Sequence, residues 1–401
     1  MNSRERVRLA LDHQEADHVP LDLGGTGLTL IHLTAYKNLR KHLNLPVREP
    51  TISYMAEQLA AVEEDLAERL ETDVALVMPQ PQSGFEFEFR DEGAYEAYAD
   101  EWGIGWRKPK EGGFYYDMYL HPLSHAENLE DFKTFKFPDP LDDHRFQNLR
   151  RDAERAVEQG KAVALAGPCS GILEMVAWTR GLEQFYVDLA INHQFVTYML
   201  DRLVEFKCAF WRRALAEVGD LVDVAIEADD MAGQRSLLFS PETYRKIVKS
   251  RHEQLFSYIK RQAPVKLFFH SCGAIRPLIG DLIEAGIDIL NPVQISAAGM
   301  DPEELKGEFG PDLVFWGGGV DTQSVLGGGT PEEVKEDVRR NIEALAPGGG
   351  FVFATVHDIQ ANVPPQNIMA MWEAWKAYGV YSWRPRANNT QRGHYLSANQ
   401  A

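Results

Sequence analysis

The sequence predicts an α/β fold, a closed (β/α)₈ TIM barrel that carries an antiparallel hairpin insertion after its second strand. Three observations favour it: eight short β-rich runs end in polar or glycine residues, amphipathic helical stretches separate most of them, and the runs are almost continuously apolar. Parallel strands buried on both faces have this last property. The runs are 19–24, 73–78, 162–167, 222–229, 265–272, 288–293, 313–318 and 351–357.

Helix signals lie between these runs. Ser240-Pro241-Glu242 opens an amphipathic stretch to Arg261 with a capping serine and a proline at the first helical position, and Pro331 begins another that runs to Leu345. An open doubly wound sheet is the alternative. It would normally bring a G-x-G-x-x-G fingerprint, and the glycines at 24–27 lack that spacing.

The second strand is followed by alternating sequence at 85–90 and 100–106, which is typical of antiparallel hairpins. We expect an insertion at about 85–140 that roofs or walls the active site, because βα loops lie at the catalytic face of a barrel. The predicted domain spans 1–384 as a single barrel, and 385–401 is expected to be a loose tail.

Composition narrows the classes of function. The 60 acidic and 41 basic residues give a net charge of -19, which disfavours nucleic acid and anionic membranes as partners. Three cysteines are too few for a disulfide framework and fit a reducing compartment, so we expect a cytoplasmic protein. The sequence contains neither a secretory signal pattern nor 18 consecutive apolar residues.

Chemistry in a barrel sits at the carboxyl ends of the strands, so these ends supply the candidate residues. For substrate binding we expect polar or glycine residues at four strand ends and beyond the last strand: Gln80, Asp230, Gln294, Gly318, Asp321 and Gln360.

The fourth and fifth strands supply the candidate metal ligands. If the apolar residues of the fourth strand face the outer helices, Glu227 and Asp229 face the lumen, and His270 and Cys272 share one face of the fifth strand. Neighbouring strands lie roughly 4.8 Å apart, so Glu227, His270 and Cys272 could converge on a zinc ion. His357, also expected to point inward, is left open as a further ligand, a proton donor, a substrate contact or a core histidine.

Several motifs together resemble the uroporphyrinogen decarboxylase superfamily. They are the Arg4 to Pro20 pattern, Asp229-Asp230 followed by residues 240–244, His270-Ser271-Cys272-Gly273, residues 316–321 and residues 363–367. The resemblance covers nearly the whole chain and implies a TIM barrel.

The resemblance offers two chemistries. The decarboxylases of this superfamily use arginines after the first strand and an aspartate after the second, whereas this chain has residues 23–28 (LGGTGL) and 77–80 (VMPQ) there. The other branch comprises zinc-dependent methyltransferases with His-x-Cys at the fifth strand, matched by His270 and Cys272. They commonly add a cysteine from the last strand, where this chain has His357. Either Glu227 and His357 substitute for that cysteine, or the site has an altered metal affinity.

The first hypothesis is therefore a zinc-dependent methyltransferase that passes a methyl group between a small methyl donor or acceptor and a corrinoid, a cobalamin-type cofactor carried by a partner protein. Asp229 and His357 are its expected catalytic residues, Asp229 by orienting a zinc ligand or donating a proton. A metal-free decarboxylase and a non-catalytic barrel that binds a corrinoid or small molecule are the alternatives. The resemblance also favours a homodimer.

Overall fold

A computed structural model describes residues 1–381, and the tail predicted at 385–401 lies outside them. The strands, in chain order, are β1 (Ile31–His32), β2 (Ile52–Tyr54), β3 (Leu59–Ala60), β4 (Val74–Val77), β5 (Arg90–Glu92), β6 (Tyr95–Ala99), β7 (Gly105–Pro109), β8 (Asp117–Leu120), β9 (Ala162–Ala166), β10 (Val224–Ala228), β11 (Lys266–His270), β12 (Ile289–Asn291), β13 (Val314–Trp316) and β14 (Phe351–Val352).

The helices are α1 (Ser3–Leu11), α2 (Leu33–His42), α3 (Glu64–Arg69), α4 (Leu129–Lys133), α5 (Leu149–Glu158), α6 (Ile172–Arg180), α7 (Leu182–Ile191), α8 (His193–Val218), α9 (Pro241–Thr243), α10 (Lys249–Gln262), α11 (Arg276–Ala285), α12 (Pro302–Phe309), α13 (Val325–Gly328), α14 (Pro331–Leu345) and α15 (Pro365–Tyr378), with a π-helical turn at Tyr244–Val248. Both predicted helices are present. Within the described residues, none of these helices has the length and apolar character needed to cross a membrane.

Seven strands form a parallel sheet in the order β14-β13-β12-β11-β10-β9-β4. The eighth position is filled by the first predicted run. Leu21 forms a parallel bridge with Phe353, and its carbonyl accepts the N–H of Asp73 just before β4 at 2.8 Å. The run thus joins the two edges of the sheet, which confirms the barrel prediction.

The barrel interior is a compact apolar cluster. It contains Val74, Ala162, Ala164, Val224, Ile226, Phe268, Ile289, Val314, Trp316, Val352 and Ala354. Helix α1 closes the amino-terminal end of the barrel, because its Val7, Ala10 and Leu11 belong to the same cluster. A larger cluster fills the space between the strands and the outer helices.

The side-chain orientation predicted for two strands is wrong. Val224 and Ile226 of β10 face the lumen, so Glu227 points to the outer helices. The same reasoning placed Val352 and Ala354 of the last predicted run outward, and these residues also face the lumen. The prediction took apolar residues as the outward set. Both faces of a parallel barrel strand are apolar, however, and hydrophobicity alone does not distinguish them.

The insertion after β4 contains a four-stranded antiparallel sheet in the order β5-β6-β7-β8, as expected for hairpins. The alternating run at 85–89 lies outside that sheet, although Phe87 and Phe89 pack against Tyr98 at ring-centroid distances of 5.2 and 5.7 Å. A second, unpredicted antiparallel sheet, β1-β3-β2, lies between the first barrel run and β4.

Candidate metal centre

Three potential metal ligands meet at the carboxyl end of the barrel. The donor atoms of His270, Cys272 and His357 all lie within 4.8 Å of one another, and Cys272 Sγ lies 3.4 Å from His270 Nε2. Strand β11 ends at His270, and the chain then turns through Gly273, whose φ is +86°. A Cβ at that glycine would lie 2.6 Å from the carbonyl oxygen of Ala232, so the turn requires glycine.

The orientation of His270 is fixed by the neighbouring strand. Asn291 donates through its Nδ2 to the carbonyl of Trp316 at 2.9 Å, which turns its Oδ1 towards His270 Nδ1 at 2.6 Å. Nδ1 therefore carries a proton in both charge states of the ring, and Nε2, beside Cys272, is the nitrogen that can give up its proton to bind a metal. A hydrogen bond to the distal ring nitrogen is the usual support for a metal-binding histidine.

His357 has a carboxylate beside it. Asp358 Oδ1 accepts the N–H of Leu30 at 2.7 Å, while Oδ2 lies 3.2 Å from His357 Nδ1. That Oδ2 is buried and has no hydrogen-bond partner among the described residues. An unsatisfied buried carboxylate oxygen is costly, and a cationic or metal-bound imidazole next to it would compensate its charge.

The electrostatics of the cluster favour charged forms. Burial lowers the pKa of His270, but the Cys272 thiolate outweighs it and raises that pKa to about 9. Burial opposes ionisation of Cys272, yet His270 and His357 lower the pKa of the thiol below its ordinary value. Burial likewise acts against the raised pKa of His357, which Asp358 and Cys272 hold well above its usual range. Without a metal, the thiolate and the imidazolium groups stabilise one another.

The donor set fits zinc. Two imidazoles and a thiolate are typical zinc ligands, and ligands of a tetrahedral zinc lie about 3.5 Å apart, close to the observed 3.4 Å between Cys272 Sγ and His270 Nε2. Three protein ligands leave a fourth position for a substrate, as in catalytic zinc sites. His357, whose role the sequence left open, is thus the third potential ligand.

Carboxylates surround this cluster, and two of them were missed by sequence reasoning. Burial and the Asp230 and Asp229 carboxylates raise the pKa of Glu174, in the first turn of α6, to about 8. Glu57 lies in the turn between β2 and β3, and its side chain is exposed at the mouth of the barrel. Loss of hydration among the surrounding residues and the charge of Asp358 both raise its pKa. The barrel order places the start of α6 near the mouth, but no local pattern distinguishes either glutamate.

Glu227, predicted as a metal ligand, is not part of the cluster. Its carboxylate accepts hydrogen bonds from Lys207 Nζ at 2.7 Å and Trp211 Nε1 at 2.6 Å, both on α8. The Lys207 and Glu227 side chains are 0% and 1% exposed. The carboxylate is therefore committed to a buried ion pair behind the strand.

Asp229, predicted as catalytic, is also occupied by protein partners. Its Oδ1 accepts the N–H groups of Leu173 and Glu174 at 2.8 Å each, and its Oδ2 lies 2.8 Å from His252 Nε2. The carboxylate thereby caps the start of α6. In this position Asp229 anchors the helix that carries Glu174 and does not line the cavity described below.

A cavity of about 720 Å³ opens onto Cys272 and His357. Its walls include two aromatic residues from the insertion, Phe114 and Tyr115, and five side-chain amides: Gln234, Gln294, Gln323, Gln360 and Asn362. The Tyr115 hydroxyl donates to Gln360 Oε1, which ties the insertion to the segment after the last strand. The insertion thus contributes to the wall of the mouth.

The predicted substrate-binding residues are therefore divided. Gln294 and Gln360 line the cavity, and Asp230 lies beside it, where its Oδ1 accepts the Cys272 N–H at 2.7 Å. Gln80 and Gly318 do not line it. Asp321 is turned to its own loop, where it accepts the N–H of Gln323 at 2.9 Å.

The chain is similar to known proteins in its sequence and in its fold. A family profile described as "Uroporphyrinogen decarboxylase (URO-D)" matches residues 121–378. A comparison with curated proteins found no match. Among solved structures, a "methyltransferase from Methanosarcina mazei" is similar, with a TM-score of 0.62 and 17% identity, over 94% of this chain and 99% of that chain. At this identity the likeness shows the fold alone.

Two xylanases give weaker structural matches. The Penicillium canescens endo-1,4-beta-xylanase XylE has a TM-score of 0.35 and 12% identity over 65% of this chain and 83% of its own. Xylanase 10B from Thermotoga maritima has a TM-score of 0.36 and 13% identity over 57% of this chain and 78% of its own. Scores this low carry no argument about function.

Proposed function

The chain belongs to the uroporphyrinogen decarboxylase family, and on this premise we propose that it is a zinc-dependent methyltransferase. It would pass a methyl group between a small substrate and a corrinoid held by a separate protein. The observation that carries this proposal is the convergence of His270, Cys272 and His357 at the mouth of the barrel, next to a cavity of substrate size.

His270, Cys272 and His357 would hold the zinc. When bound, the metal would supply Lewis-acid chemistry, by lowering the pKa of a substrate thiol or by polarising a methyl-bearing ether. Asn291 would keep the metal-binding nitrogen of His270 unprotonated, and Asp358 would support His357. Glu227 and Asp229 would act at a distance, by fixing α8 and α6.

Proton movement would fall to the carboxylates of the mouth. The corrinoid, on its own protein, would supply the methyl group and retain the electron pair of the bond that is broken. The thiol that accepts the methyl group would form a carbon–sulfur bond and release its proton. Asp230, whose side chain is 40% exposed and whose Oδ1 lies 3.7 Å from His270 Nε2, can accept that proton.

Two further observations support the proposal. The methyltransferase from Methanosarcina mazei has a similar fold over almost its whole length. The described cysteines are free, which agrees with a thiolate ligand and with a cytoplasmic location for the proposed enzyme.

Decarboxylation of a porphyrinogen is the second candidate, because the family profile bears that name. Such a substrate carries many carboxylates and needs cationic side chains to bind them. Among residues 1–381, no lysine or arginine lines the cavity. This lining favours the methyltransferase over the decarboxylase.

Metal content and methyl transfer test the proposal together. Purified protein should hold about one zinc per chain, and with a thiol acceptor it should demethylate methylcobalamin, which is followed by visible absorbance. Cys272→Ser should lose both properties, whereas Cys208→Ser on α8, outside the cluster, should keep both. Protein without zinc that releases carbon dioxide from a porphyrinogen would show that the second candidate is correct.

A further inference from the structure

We propose that the cavity selects an uncharged substrate with an oxygen acceptor and excludes carboxylates and sulfonates, and that Gln294 is the residue that binds the oxygen of that substrate. The inference rests on the proposed function for the reaction, but its physical basis is the composition of the cavity wall. It narrows the substrate class to alcohols, ethers, phenols and neutral thiols.

Beyond the metal cluster, the cavity wall offers hydrogen bonds without positive charge. Five side-chain amides and the two aromatic residues Phe114 and Tyr115 line it, together with small and backbone groups, and no lysine or arginine of the described chain contributes. The imidazole of His357 also lines the cavity, but it belongs to the metal cluster, where a bound zinc would occupy it. Recognition of a carboxylate or sulfonate usually depends on arginine or lysine. An anion entering this cavity would lose its hydration without gaining such a partner.

The surrounding charge acts in the same direction. Asp230 lies beside the cavity, where its Oδ1 accepts the Cys272 N–H, and its carboxylate would repel a negative ligand. Glu57 and Glu174 would add to this repulsion only above neutral pH, because their pKa values are raised to about 7 and about 8. The whole chain carries a net charge of -19.

Gln294 is oriented to donate into the cavity. Its Oε1 accepts the N–H of Gly273 at 2.6 Å, so the carboxamide can turn only its Nε2 group towards the cavity. No described residue accepts a hydrogen bond from that Nε2, although the residue is only 6% exposed. The group thus lies beside Cys272, ready to bind an oxygen of a ligand whose sulfur or methoxy group is at the metal.

Gln360 provides a contrast within the same wall. Its Oε1 accepts the Tyr115 hydroxyl, and its Nε2 donates to the Asp358 carbonyl at 3.1 Å. Both ends of this amide are used to hold the wall together. Gln294 is therefore the better candidate for direct contact with substrate.

Matched ligand pairs test the proposal by calorimetry. On zinc-loaded protein, 3-mercaptopropanol is compared with 3-mercaptopropionate, which replaces the alcohol by a carboxylate. On metal-free protein, 3-methoxybenzyl alcohol is compared with 3-methoxybenzoate. We expect the alcohol of a pair to bind at least about tenfold more tightly.

Two lysine variants separate local from general charge effects. Gln323→Lys places a cation in the wall and should reduce the preference for the alcohol. Gln80→Lys adds the same charge outside the cavity and should leave the preference unchanged. Gln294→Glu keeps the acceptor for Gly273 but presents a carboxylate, and should weaken alcohol binding by roughly fivefold to tenfold.

The outcomes are distinct from those of the proposed function. Equal or tighter binding of the carboxylates, or no binding of any of the four ligands, would overturn the inference even if zinc and methyl transfer are present. Selectivity in the methoxy pair on protein that binds no zinc would support the inference while the proposed function fails.

Discussion

The ends of β10 and β11 lie side by side, and both carry side chains that could bind a metal. Those of β10 are bound by other protein groups, whereas those of β11 face the cavity. Glu227 and Asp229, on and after β10, have all their carboxylate oxygens bound by Lys207, Trp211, His252 or the start of α6. His270 and Cys272, on and after β11, face a cavity and a third donor from across the barrel.

The difference shows that polar type is a poor guide to function inside a barrel. A buried carboxylate with every oxygen satisfied stabilises its surroundings and has no capacity left for a ligand. The donor atoms of His270, Cys272 and His357 contact mainly one another, and they lie beside an Asp358 oxygen that has no hydrogen-bond partner among the described residues. They can therefore still bind a ligand.

The largest effect is expected for His357, the potential metal ligand that comes from across the barrel. His357→Ala removes one of three donors and should reduce bound zinc from about one per chain to almost none. Glu227→Gln, which keeps the shape of the side chain on β10, should bind as much zinc as the unmodified protein. Elemental analysis after dialysis measures both. Full zinc in His357→Ala would remove His357 from the ligand set.

Breaking the buried ion pair between Lys207 and Glu227 should lower the stability of the fold without changing the amount of bound zinc. Lys207→Met leaves Glu227 charged and unpaired, and should lower the free energy of unfolding by about 3–5 kcal/mol. Denaturant unfolding measures the loss, and zinc content should not change. Lys207→Met/Glu227→Gln should recover most of the stability, because the remaining amide oxygen still accepts from Trp211. A double variant as unstable as the single one would contradict this explanation.

The hydrogen bond that Asn291 accepts from His270 should increase the affinity of the site for zinc. Asn291→Ala removes the acceptor at Nδ1 and should weaken zinc binding by about 10–100-fold, measured by competition with a chelating dye. Asn367→Ala is the matched control, because it removes another buried amide, bound to the carbonyls of Leu326 and Gly329. If both variants weaken zinc equally, Asn291 has only a structural role.

The smallest effect concerns Glu174 and depends on pH. Its pKa rises from an ordinary value of 4.5 to about 8 on folding, so the folded protein loses stability as pH rises between these values. Glu174→Gln removes this loss. In zinc-free protein its stability advantage should be near zero at pH 5 and reach about 1–2 kcal/mol at pH 9, since the side chain is partly exposed.

Thermal unfolding from pH 5 to 9 measures this advantage. Glu183→Gln, at an exposed position on α7, should show no such trend. An advantage that is constant with pH would assign Glu174 an effect on packing.

Much of the fold was predictable because barrel strands are local signals. Short apolar runs and capped helices can be identified from the residues they contain. Helix α14, for example, begins at Pro331 and ends at Leu345, as predicted. The small sheet β1-β3-β2 was not predictable, since its strands have two or three residues and form through contacts across a loop.

The site was predictable where two ligands lie two residues apart. The predicted run 265–272, read with period two, places His270 and Cys272 on one side, and its position beside the predicted fourth strand makes a metal site the favoured interpretation. The strand itself ends at His270, and Cys272 follows it. Glu57 and Glu174 could not be identified, because their raised pKa values depend on neighbours distant in sequence.

The sequence by itself determined the barrel order and the His270 and Cys272 pair, because both depend on patterns that a single strand or helix contains. Only the tertiary structure decided that His357 completes the donor set and that Glu227 does not. Those choices depend on which face of β10 meets α8 and on how the chain after β14 crosses the mouth. Both are set by packing between elements, which no local pattern records.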